Sequence, residues 1–208
     1  MVIKCIGRDI MREVIEKDIL TNIDKIRRCF HHTSDLKFRE IKFGLMDTAL
    51  AVVYLEGIVD SVMLEESVIN RIAEADKSTK GKNIIDYLTK KILTTPIVDT
   101  VEDLKKLTDS LLNGNAVLIV DGFSEAITVN VTKWKERSLE ESLGERSLKG
   151  IVIGFTERAS TNISVIRSIV KTANLCIKEQ SFGTESKTSV FLLYIEGTVD
   201  KDILKEVQ

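Results

Sequence analysis

Two stretches of this chain carry the same succession of hydrophobic patterns. In NIDKIRRCF, from Asn22, and in NISVIRSIV, from Asn162, apolar residues recur three and four positions apart behind an Asn suited to a helix N-cap. That spacing predicts an amphipathic helix in each. DLKFREIKFG, from Asp35, then alternates polar and apolar positions, as a strand with one wet face does, and Phe43-Gly44 marks a turn. TALAVVYLEG, from Thr48, and TSVFLLYIEG, from Thr188, are nearly continuous runs of aliphatic and aromatic residues, the pattern of a more buried strand. Beyond Gly57 and Gly197, Asp60 and Asp200 are each placed to cap a further helix with apolar residues every three to four positions. Each stretch therefore reads as an α-β-β-α unit.

The likeness extends to residue identity. Thr161, Asn162, Ile163, Ile166 and Arg167 stand 140 positions after Thr21, Asn22, Ile23, Ile26 and Arg27. With a one-residue slip, Leu175, Glu179, Phe182 and Gly183 match Leu36, Glu40, Phe43 and Gly44. The phrase YLEGIVD, from Tyr54, returns as YIEGTVD, from Tyr194. Duplication of a unit of about 45 residues accounts for these matches, and the repeated phrase falls at the corner where strand gives way to helix.

The sequence between the units is unique. GKNIIDYLTKKIL reads as a helix stopped by Pro96, and VEDLKKLTDSLL as another ending on Asn113-Gly114. NAVLIVDGFSEAITVNV reads as a hairpin turning at Asp121-Gly122. The single proline suggests a boundary near residues 94 to 99. The expectation is a mixed α/β (α+β) fold of two α/β lobes, 1–95 and 96–208, each holding one copy of the unit.

Composition narrows the function. The 30 Lys and Arg against 32 Asp and Glu give a formal charge of -2, so no basic field draws nucleic acid. Three cysteines with no C-x-x-C spacing argue against a disulfide framework or structural zinc. No apolar run approaches the roughly 18 residues of a membrane helix, and MVIKCIGRDIMREVIEKD, at the start, reads as a first helix rather than a signal peptide. Nucleophile-elbow, phosphate-loop and dinucleotide motifs are missing, and Asp121 reads as a turn residue. His31-His32 sits at a helix end, where capping is the default and metal binding the alternative. The expectation is no enzyme, no catalytic residue, no metal and no cofactor.

One segment stands apart. From Lys133 to Arg158 cationic residues interleave with Glu, Gly144, Gly150 and Gly154 interrupt the run, and Trp134 and Phe155 flank it. This is either a solvated surface or an ordered loop presenting Arg146, Glu157 and Arg158 to a partner or an anion.

LLNGNAVLIVDGFSEAITVNVTKWKERSLEE, then GFTERASTNISVIR, then FLLYIEGTVD, resembles the N-terminal soluble domain of the A subunits of bacterial spore germinant receptors, the GerA family. The residues carrying the resemblance are Gly114, Asp121, Gly122, Trp134, Arg137, Glu140, Glu141, Gly154, Phe155, Glu157, Asn162 and Arg167. The chain departs from the family in EESLGER, KGIVIGF and IRSIVK, where prolines and additional arginines are usual. The resemblance implies a piece of a longer protein that continues into a helical membrane region, joins B and C subunits and further A subunits in the spore inner membrane, and responds to small nutrients. The helical pattern of VDKDILKEVQ, which runs to the last residue, fits that expectation. Either the domain senses or transmits a nutrient signal, or it is an assembly module without a ligand. Candidate ligand or partner contacts are Glu141, Arg146, Glu157, Arg158, Asn162 and Arg167; Asn162 and Arg167, which have counterparts in Asn22 and Arg27, equally suit a structural role in capping and helix packing.

Overall fold

The computed structural model describes residues 13–43, 48–75, 84–93, 95, 97–133 and 154–207. The first helix, α1 (Ile19–Cys29), begins at Asp18, whose carboxylate accepts from the Thr21 N–H and occupies one of the donors a helix start leaves free. Its buried stripe is Ile19, Asn22, Ile23, Ile26 and Cys29, at the spacing the sequence shows. Strands β1 (Leu36–Phe43) and β2 (Thr48–Leu55) follow as an antiparallel pair. The corner after β2 turns on Gly57, at φ +93°. Asp60 then caps α2 (Ser61–Leu64) through the N–H groups of Val62 and Met63. A π-helical segment, Glu65–Ile69, leads on into α3 (Asn70–Glu74). Next come α4 (Ile84–Tyr87) with a π-helical extension Leu88–Ile92, β3 (Val98–Val101), α5 (Leu104–Leu112), β4 (Asn115–Val120) and β5 (Ala126–Asn130).

Five of these strands form one antiparallel sheet in the order β1-β2-β4-β5-β3. Its central strands are apolar at nearly every position because both faces are covered. On β2, Ala51 and Val53 face α1 and α5, while Leu50 and Val52 face the side of α2, α3 and α4. On β4, Val117 and Ile119 point one way and Ala116, Leu118 and Val120 the other. Alternation of period two thus feeds two separate cores, and each fully buried aliphatic side chain contributes about 1.5–3 kcal/mol relative to exposure.

The second unit repeats the order of the first. Helix α6 (Ala159–Ile169) is followed by β6 (Leu175–Phe182) and β7 (Thr188–Ile195), an antiparallel pair forming its own two-stranded sheet. The corner turns on Gly197, at φ +83°, and Asp200 caps α7 (Lys201–Val207) through the Asp202 and Ile203 N–H groups. Among the described residues only β6 pairs with β7, whereas β2 is flanked on both edges. No residue of α7 is buried, whereas Leu64, its counterpart in α2, is.

Three expectations change. The sheet runs across the boundary placed near residues 94 to 99, so lobes of 1–95 and 96–208 do not describe the architecture. The reason is hydrogen bonding: β2 needs a partner along its second edge, and β4 supplies it in register from Leu50↔Val120 to Val53↔Val117. Second, residues just after Pro96 form β3, an edge strand too short and polar to read from periodicity. Third, of the stretch read as a first helix, residues 1–12 lie outside the described residues, and residues 13–18 are extended, with Val14 bridging Asp103. Pro96 and Gly44 also lie outside the described residues.

The two units meet at a buried ion pair. Arg167 of α6, with none of its side chain exposed, donates from Nε to Asp35 Oδ2 at 2.8 Å and from Nη2 to Asp35 Oδ1 at 2.9 Å. The guanidinium also reaches the Leu175 and Thr172 carbonyls at 2.9 and 3.0 Å. Thr33 Oγ1 donates to Asp35 at 2.6 Å and accepts from the Ile177 N–H at 2.9 Å, while Ser34 N–H donates to the Ile177 carbonyl at 2.8 Å. Every lone pair and N–H of a desolvated charge pair must be answered in this way.

Removing one partner leaves the other buried and unpaired. Asp35→Ala is expected to destabilise the chain by about 3–5 kcal/mol. Thermal unfolding followed by circular dichroism checks this, with the midpoint falling by on the order of 10 °C. The paired apolar replacement Asp35→Leu with Arg167→Met recovers most of the loss.

Candidate functional site

A cleft of about 740 Å³ opens between the units. One wall is the repeated corner after β2, Glu56 to Val59, continued by Ser61. A second is the end of α5 at Leu112 and Asn113, with Thr132 and Lys133 beyond β5. The third is α6, which presents Arg158, Ser160, Thr161, Ser164, Val165, Ser168 and Ile169, with Lys171 just past its end.

Two glycines set how closely the walls approach. Gly114 closes α5 at φ +84°, and a Cβ there would meet the Ile58 carbonyl and the Thr132 side chain at 3.0 Å. Gly57, also at positive φ, lies against α6, so that a Cβ would overlap the Ser164 hydroxyl. Both satisfy two demands at once, a left-handed backbone and bare space.

The floor is apolar, with Ile58, Val59, Leu112 and Val165 all buried. The rim is polar and holds three cations, Lys133, Arg158 and Lys171, against one acid, Glu56. Glu56 pairs with Lys37 at 3.2 Å, and Lys171 Nζ reaches Asn113 Oδ1 at 3.2 Å. Unlike α1, α2, α5 and α7, each preceded by an Asp whose carboxylate accepts helix N–H groups, α6 starts at Arg158 with no side-chain cap.

Of the six candidates from sequence, Glu141 and Arg146 lie outside the described residues, as do Trp134, Arg137 and Glu140. Arg158 stands on the cleft rim and Glu157 is exposed beside it. Asn162 acts within its own chain segment: its side chain accepts from the Thr156 N–H at 2.8 Å and donates to the Thr156 carbonyl at 2.7 Å. Asn22 holds Glu16 by the same two bonds, at 2.9 and 2.6 Å. Arg167 is consumed by Asp35 and offers nothing to a ligand. The structure adds Asn113, Thr132, Lys133, Ser164 and Lys171 to the cleft. The signal that pointed toward it was the repeated Glu-Gly corner, whose first copy forms a wall.

The remaining titratable candidates are accounted for by structure. His31 and His32 adopt positive φ, 50° and 54°, at the end of α1, and a His31 ring nitrogen lies 3.1 Å from Asn174 Oδ1 of the second unit. Among the described residues no three His, Cys, Asp or Glu are grouped to hold a metal. Cys29 and Cys176 are buried free thiols, and burial pushes the Cys29 thiol up to about 11.

The fold is that of a known class of protein. The sequence model described as Bacillus/Clostridium GerA spore germination protein matches residues 24–208, and the chain belongs to that family. It is 34% identical over 196 residues to spore germination protein KA of Bacillus subtilis, covering 94% of this chain and 36% of that protein. It is 26% identical to spore germination protein B1 of the same organism, covering 93% of this chain and 40% of the relative. The solved N-terminal domain of the A subunit of the Bacillus megaterium spore germinant receptor GerK3 superposes with a TM-score of 0.75 at 26% identity, covering 94% of this chain and 71% of that one. The chain thus spans well under half the length of these curated relatives.

Gly57 and Gly122 separate close approach from backbone strain. Both have positive φ, but a Cβ on Gly122 meets nothing within 4 Å. Gly122→Ala is expected to cost about 1 kcal/mol. Gly57→Ala, which must also displace α6, costs at least about twice that in urea unfolding, and Ser164→Gly in the same chain restores the difference.

Proposed function

We propose that this chain is the N-terminal domain of a germinant receptor A subunit, and that it takes part in sensing a nutrient and passing that event to a membrane part of the longer protein. The observation that carries the reading is the cleft. Its walls come from two units fastened together at a separate point, the Asp35–Arg167 pair, so a molecule touching both walls binds one relative arrangement of the units better than another. Differential affinity of that kind is what shifts a conformational equilibrium, since equal affinity for both arrangements shifts nothing. Volume agrees, because small-molecule sites run from roughly 300 to 1,000 Å³.

In this reading the full-length protein lies in the spore inner membrane with B-type and C-type subunits, and the domain is no enzyme. No helix among the described residues is long and apolar enough to cross a membrane.

A second reading is favoured by a different observation. Phe155, Ile169, Ile203 and Val207 of the second unit are each more than half exposed. Exposed apolar side chains of this kind suit an assembly surface for partner subunits or further A subunits.

Thermal unfolding of the 208-residue chain against amino acids, sugars and salts at tens of millimolar separates the two. A ligand at about 100 times its dissociation constant adds about 2.7 kcal/mol, which raises the midpoint by roughly 5–10 °C. A selective shift is expected. A flat response to the whole panel, with oligomers that grow with concentration in sedimentation, assigns the domain to assembly instead.

A further inference from the structure

Among the described residues the cleft holds charge that is left unanswered. Among the described residues no carboxylate pairs with Lys133, Arg158 or Lys171, and the only acid of the lining, Glu56, is occupied by Lys37. Beneath this rim lies hydrocarbon: Ile58, Val59, Leu112 and Val165. A ligand that suits both levels carries a negative charge at one end and an apolar body at the other. An inorganic anion meets the cations and leaves the floor wet. A neutral sugar answers the hydroxyl groups of Thr132 and Ser164 but leaves the rim unpaired. An apolar cation is repelled.

We propose that the cleft binds a small organic carboxylate, with Lys171, held at the end of α6 by Asn113, taking the charge from one side, Lys133, next to the Thr132 that also bonds Asn113, taking it from the side of β5, and the hydrocarbon part resting on Ile58 and Val165. The proposal rests on the sensing reading above and adds the ligand's chemical class. Because the cations belong to both units, neutralising them by one carboxylate ties the units together across the cleft, opposite in role to the permanent tie at Asp35 and Arg167. Binding of this kind weakens as salt rises.

Calorimetric titration of the 208-residue chain with sodium pentanoate, pentanamide, glucose and inorganic phosphate provides the test, repeated on Lys171→Glu and Lys133→Gln. Both positions are exposed, so both variants are expected to unfold within a few degrees of the parent. The expected result is binding of pentanoate at least tenfold tighter than pentanamide or phosphate. Lys171→Glu weakens pentanoate tenfold or more, and Lys133→Gln does so by a smaller factor. Equal binding of pentanoate and pentanamide, or pentanoate binding untouched by both substitutions, overturns the carboxylate class while leaving the sensing reading in place. Glucose bound in preference to pentanoate does the same. No heat from any of the four overturns the proposal, and the sensing reading falls with it only if the broader nutrient panel also leaves the unfolding midpoint unmoved.

Discussion

The relation between the two units depends on one desolvated ion pair. Arg167 and Asp35 come from residues 132 positions apart, and neither is tolerable in its buried site without the other. The geometry is bidentate, the form in which guanidinium and carboxylate match best. The surrounding acceptors and donors, Thr33, Thr172, Leu175 and Ile177, complete it. A pair of this kind adds little net stability over an apolar contact of similar volume, but it is selective, because only one alignment of the second unit on the first satisfies every polar atom. That selectivity sets where the walls of the cleft stand.

The repeated units solve the same local problem and meet different surroundings. Asn22 and Asn162 clamp the chain ahead of their helices, and Asp60 and Asp200 cap the helices that follow each corner. Arg27 and Arg167 occupy equivalent positions. Yet the Arg27 guanidinium lies over the Phe38 ring at 4.8 Å on the surface of the first unit, while Arg167 is wholly buried against it. Likewise β2 is embedded in a five-stranded sheet, whereas β7 is paired on one edge and only partly buried. The first unit joins the central hairpin to make a doubly covered sheet; the second leans on the first through α6 and the start of β6. The asymmetry leaves a cleft between the units, with the exposed Ile169 on its wall, and further exposed apolar residues, Ile203 and Val207, on the second unit.

For a family of spore germination proteins, this arrangement couples two demands. The units are held together by the buried pair, and in the proposed reading they also present a surface on which a small molecule or a neighbouring subunit acts. The cleft, with its hydrocarbon floor and cationic rim, answers that demand in the sensing reading, and exposed apolar residues such as Ile203 and Val207 answer it in the assembly reading.

The sequence by itself determined the elements. Periodicity placed α1, α5, α6 and both hairpins, and the caps at Asp60 and Asp200 and the turn glycines 57, 114 and 122 follow from short-range backbone chemistry that any reader of the chain can apply. It also carried the family resemblance, through residues spread over the unique hairpin and the second unit. Tertiary structure alone decided the rest. Periodicity says that β2 is buried on both faces but not which strand covers its edge, so Pro96 was mistaken for a boundary the sheet runs across. In sequence Arg167 and Asn162 suit a contact or a structural role alike, because charge and polarity are local properties. Burial, by contrast, depends on what another part of the chain brings to the same point, and only the fold carries Asp35 to Arg167, or Lys133 and Lys171 to opposite walls of one cleft.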